Sequence, residues 1–140
     1  MAVFVVDNRS VLNAPVERVW MFFQTHRDHP HSGITNVSRE ELGSNSYIMS
    51  YEFRTRGQLI WIKYRGTAYP PLGFGMDFVD GTFKGSKVFH YFVPRGEKTN
   101  VRVVAHLTSP TMTDTMVKHA FNVFTTHLFS EDKASIEKAA

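Results

Sequence analysis

A chain of 140 residues, 42% of them apolar and 21% charged, has the size and make-up of one globular domain spanning 1–140, long enough to bury a real core. The absence of cysteine excludes disulfide stapling and thiol catalysis, and leaves any zinc site to His and carboxylate ligands. A net charge of +3 carried by scattered residues does not argue for nucleic acid; no run nears the ~20 apolar residues of a membrane span, and residues 1–7 lack the basic start of a signal peptide, so a cytoplasmic location is expected.

Residues 3–12 are rich in β-branched side chains and read as a strand. Asn13 is the expected N-cap of a short helix with Pro15 at its start, where a missing N–H costs nothing. Val16, Val19, Trp20 and Phe23 fall at i, i+3, i+4 and i+7, one apolar stripe. The stretch 25–33, Thr-His-Arg-Asp-His-Pro-His-Ser-Gly, breaks that helix and is expected as a second short helix or a turn.

The period then changes to two. Residues 34–42 form a strand ending at a Gly-Ser-Asn turn, and Tyr47, Met49, Tyr51 and Phe53 alternate with Ile48, Ser50, Glu52 and Arg54. A strand over 59–68 is broken by Pro70-Pro-Leu-Gly73; Phe74, Met76 and Phe78 then share a face, as do Val88, His90 and Phe92 on the next strand. Val101, Val103, Ala105 and Leu107 complete a seventh strand. After Pro110, Thr113 or Asp114 caps a long helix with the stripe Val117, Ala120, Phe121, Phe124 and Leu128, which continues into the charged tail. Two or three helices cannot cover both faces of seven strands. The order therefore predicts an α+β fold, in which a curved antiparallel sheet wraps the C-terminal helix and leaves an apolar cavity between them.

The entry Ala14-Pro15-Val16-Glu-Arg-Val-Trp20 after a strand resembles the start of the START-like, or SRPBCC, superfamily, which includes polyketide cyclase/dehydrase proteins, lipid-transfer START domains and the birch pollen allergen. Tyr69-Pro70-Pro71, Phe92-Val93-Pro94, Lys98-Thr99-Asn100-Val101-Arg102 and the helix from Glu131-Asp132-Lys133 to Ile136-Glu137 agree in order. Where many members carry a Trp after the first helix, this chain has Pro30-His31-Ser32, in a segment that often borders the cavity mouth. The resemblance implies a helix-grip fold with a cavity for a lipid, sterol, polyketide, aromatic or other apolar molecule. It implies no catalytic motif and no cofactor.

Strand parity nominates Tyr51, Phe53, Ile62, Tyr64, Met76, Phe78, His90, Phe92 and Val103 as cavity residues, with Phe121 and Phe124 opposite them; the competing reading is plain core. His90 is the sharpest polar candidate, because an inward imidazole needs a partner, and His127 is a second. His26, His29 and His31 have spacing unsuited to one helical or strand face, and read as a solvated turn rather than a metal site. Arg54, Lys63 and Arg65 beside Trp61 on the outer face keep a nucleic-acid or protein partner as an alternative, with solvated long side chains covering Trp61 as the plainer account. The leading expectation is a small-molecule binding module, monomeric or homodimeric. A polyketide cyclase/dehydratase-type enzyme is the other alternative.

Overall fold

The computed structural model describes residues 3–25, 31–55 and 58–138. Its elements run β1 (Val3–Leu12), α1 (Val16–Thr25), β2 (Ile34–Gly43), β3 (Ser46–Thr55), β4 (Gln58–Tyr69), β5 (Gly73–Gly81), β6 (Lys87–Arg95), β7 (Lys98–Leu107) and α2 (Asp114–Lys138). The strands make one seven-stranded antiparallel sheet in spatial order β1-β7-β6-β5-β4-β3-β2. β2 to β7 is thus a meander, and α1 carries the chain from one edge strand to the other.

The period-two pattern reappears as burial. On β4, Ile60, Ile62, Tyr64 and Gly66 are buried while Trp61 and Arg65 are exposed. Register shifts between Asp7 and Ser10 in β1, between Thr35 and Ser38 in β2, and between Lys63 and Tyr64 where β4 meets β5 put extra residues on one strand of a pair. Such bulges bend and twist a sheet, and here the concave face lies towards the helices.

α1 starts on Pro15, whose carbonyl accepts the Val19 N–H at 3.2 Å. The expected cap, Asn13, sits too far upstream to reach the first-turn N–H groups; its own N–H donates to Glu137 Oε2 of α2 at 2.8 Å. α2 is capped by Thr113, whose Oγ1 accepts the Met116 N–H at 3.2 Å. Residues 26–30, where a second short helix or turn was expected, lie outside the described residues.

Two apolar clusters form. The larger joins Tyr51, Phe53, Ile62, Phe78, Ala105 and Leu107 of the sheet to Val117, Phe121 and Phe124 of α2, and includes Phe83 from the β5–β6 connection. The smaller joins Leu12, Trp20 and Phe22 to Phe92, Val101 and Ile136. Among the described residues no helix is long and apolar enough to cross a membrane.

Candidate functional site

Between these clusters lies a cavity of about 680 Å³, inside the range that takes a drug-sized ligand. Six of the residues nominated by parity line it: Tyr51, Tyr64, Met76, His90, Phe92 and Phe124. Phe53, Ile62, Phe78 and Phe121 belong to the larger cluster without lining the cavity, whereas Tyr51, Tyr64, Met76 and Phe124 do both; Val103 packs half-buried against both clusters. Inward parity is common to both sets. What separates them is whether a neighbouring side chain or open space lies above the residue.

One wall is aromatic. Trp20 and Phe23 from α1 meet Phe92 with ring centroids 5.4 and 5.9 Å apart, and Phe74 packs on Phe92 at 5.9 Å. His90 stacks on Phe74, 4.4 Å between centroids and 10° between planes. Burial lowers the His90 pKa to about 4, so the ring is neutral at ordinary pH, the Asp132 charge opposing only in part. Neither His90 Nδ1 nor Trp20 Nε1 has a hydrogen-bond partner among the described residues. An orphaned buried N–H is rarer than an orphaned lone pair, which places the His90 proton on Nε2.

The other wall is built by β2, β3 and β4. Tyr47 meets Tyr64, and Tyr64 meets Tyr51, edge to face at 6.1 and 6.3 Å. Side-chain hydrogen bonds link Tyr64 to both neighbours, and burial pushes the phenols of Tyr51 and Tyr64 up, so both stay protonated donors. The Tyr47 ring lies over Gly66: a Cβ there would sit 2.3 Å from Tyr47 Cζ. On a ring face of Tyr47 the Arg39 guanidinium stands 4.0 Å from the centroid. Arg39, Glu41 and Val37 also line the cavity. Sequence reasoning passed over them because β2 looks like a polar edge strand. The signal was there: the turn after Gly43 sets Arg39 opposite Met49 and Glu41 opposite Tyr47.

A polar latch joins the segment before β2 to α2. His31 Nδ1 is 2.9 Å from Glu131 Oε1 and Nε2 is 3.3 Å from Asp132 Oδ1. Ser32 Oγ donates to Glu131 Oε2 at 2.9 Å, and His127 Nε2 donates to the Ser32 carbonyl at 2.7 Å. Burial works to lower the His31 pKa, but hydrogen bonds and charge from Asp132 and Glu131 outweigh it and raise it. His26 and His29 lie outside the described residues. His127 belongs to this latch, packing on Phe53 at 5.4 Å, and is not among the residues lining the cavity.

On the convex face, Lys63 lies across from Asp80, Arg65 from Asp77, and Trp61 from Glu52. The expected basic surface is therefore a mixed-charge one, because the neighbouring strand supplies carboxylates that the reading of β3 and β4 alone did not pair.

No protein-family profile matches the chain, and no curated protein matches it. Solved structures do. Ara h 8.0201 aligns with TM-score 0.78 at 7% identity over 97% of this chain and 98% of its own. The Zhui aromatase/cyclase from a Streptomyces species aligns with TM-score 0.78 at 10% identity over 99% and 95%. A START superfamily protein from Mycobacterium smegmatis aligns with TM-score 0.70 at 17% identity over 99% of each chain. The class defined by this sheet, helix and cavity is the START-like helix-grip fold.

Proposed function

We propose that residues 1–140 act as one cytoplasmic binding domain that holds a small, largely apolar ligand between the sheet and α2. The observation that carries the reading is the cavity of about 680 Å³, walled by stacked aromatic rings and supplied with neutral donors by Tyr51, Tyr64 and His90. Flat aromatic or polyketide-like molecules suit the Trp20–Phe23–Phe74–Phe92 wall. Native mass spectrometry of gently purified protein, followed by extraction, should reveal a bound species, and a lipid, sterol and polyphenol panel should raise the melting temperature. An empty protein that no panel member stabilises would overturn the reading.

Cyclisation of a polyketide is a second reading, favoured by the Tyr47–Tyr64–Tyr51 hydroxyl chain sharing a cavity with a neutral imidazole. It requires turnover that falls in a His90→Phe, Tyr64→Phe double variant; unchanged turnover would remove both residues from it.

A further inference from the structure

Arg39 is an unusual group to find in an apolar cavity. Its side chain is only 16% exposed, against 47% for its ion-pair partner Glu41. Nε donates to Glu41 Oε1 at 2.6 Å, while Nη1 and Nη2 have no protein partner among the described residues. The guanidinium plane is held in place by Tyr47, which is itself seated on Gly66. Its charge reaches inward far enough to act on Tyr64. Nη1 and Nη2 are not among the buried unpartnered atoms, so they meet the open space of the cavity, where a ligand oxygen can take the place of water on this fork.

We propose that Arg39 docks the carboxylate of an otherwise apolar ligand through Nη1 and Nη2, while Glu41 holds Nε. This rests on the cavity-binding reading and adds the ligand's charged end to it. A carboxylate is favoured over a phosphate because Glu41 and Asp132 also line the cavity, and their charges disfavour a dianion more than a monoanion. Ser44 and Asn45 from the β2–β3 turn, and Ser46 at the start of β3, line the same cavity and can solvate the group on entry. The apolar body then lies against the aromatic wall.

The test uses a matched fluorescent pair, 1-pyrenebutyric acid and 1-pyrenebutanol, titrated into the full chain and into Arg39→Leu and Arg39→Lys variants whose thermal melts show them folded. The wild-type protein is expected to bind the acid about 10-fold or more tighter than the alcohol. Arg39→Leu should abolish that preference while leaving alcohol affinity within about 2-fold, and Arg39→Lys, a point charge without a fork, should keep part of it. Equal affinity for acid and alcohol in the wild type overturns the role of Arg39 and leaves the cavity reading standing. A preference that survives in Arg39→Leu also overturns it. Binding of neither probe overturns both.

Discussion

His31 Nδ1 lies 2.9 Å from Glu131 Oε1, across 100 residues of sequence, and this contact ties the segment before β2 to the last third of α2 beside the cavity. Because the folded pKa of His31 is raised, its stabilising contribution is full below the ordinary histidine value of 6.5 and is lost as pH rises through the folded value. Slight burial opposes a lowered Glu131 pKa, but bonds from His31 and Ser32 prevail, so its contribution is present above 4.5 and is lost as pH falls through the depressed value. The latch is therefore strongest between about 4.5 and 6.5. His31→Ala should cost about 1 kcal/mol in that window, partial exposure keeping the figure low, and less at about pH 8.5. Urea melts of both proteins at the two pH values check it; a pH-independent difference would dissociate His31 from the carboxylates.

His90 has the opposite sign. The unfolded chain binds a proton near 6.5 and the folded chain only near 4, so protonation draws the protein towards the unfolded state as pH falls. Across that span the penalty grows to at most about 3 kcal/mol. His90→Phe removes both this penalty and the orphaned Nδ1 while keeping a ring on Phe74. It should stabilise the protein by about 1 kcal/mol at neutral pH and by more at about pH 5. Destabilisation at both pH values would mean that Nδ1 has a partner.

Gly66→Ala drives a methyl group into Tyr47, 2.3 Å from Cζ. A loss of about 1–3 kcal/mol is expected, with the Tyr47 ring pushed off Arg39. In a Tyr47→Ala background the same substitution should be nearly free. A double-mutant cycle without coupling would show that Tyr47 does not occupy this seat.

Phe124 faces both core and cavity: it packs on Phe53 at 5.5 Å and Phe83 at 6.0 Å and also lines the open space. Phe124→Ala should cost about 3 kcal/mol, the lower end for a core Phe, since part of its surroundings is already void. Denaturant unfolding measures it. A loss below about 1 kcal/mol would place the ring in the cavity alone.

Removing residues 113–140 strips the concave sheet of Val117, Phe121, Phe124 and Ile136, its main apolar cover. The remaining chain is expected to lose cooperative unfolding by circular dichroism. A truncated chain that still melted in one sharp transition would contradict this packing.

Strand parity made the inner face legible, because Tyr51, Tyr64, Met76 and His90 alternate with residues that the pleat turns outward. It could not separate Tyr51 in the cavity wall from Phe53 in solid core, two positions along the same face. That difference depends on how α2 crosses the sheet, which no local pattern encodes. Phe83 escaped for a related reason: it lies in a turn, where period has no meaning, yet it is fully buried against Phe121 and Phe124. Asn13 has the chemistry of a cap, but Glu137, far along the chain, claims its N–H instead.

The pairing of Val3 with Leu107 and Leu12 with Thr99 has a kinetic consequence. β1 is made before the other six strands of this sheet and is the last of them to find its neighbour, since β7 must exist before the edge can close. Until then Phe4 and Val6, more than two-thirds exposed even when β1 is paired, sit on a strand with two open edges. Contacts of such long sequence separation slow folding, so the meander from β2 to β6 should form ahead of β1 docking. Nascent chains halted before residue 98 would then keep β1 unpaired and aggregation-prone, and release of β7 closes the sheet edge while the hydrophobic interior waits for α2.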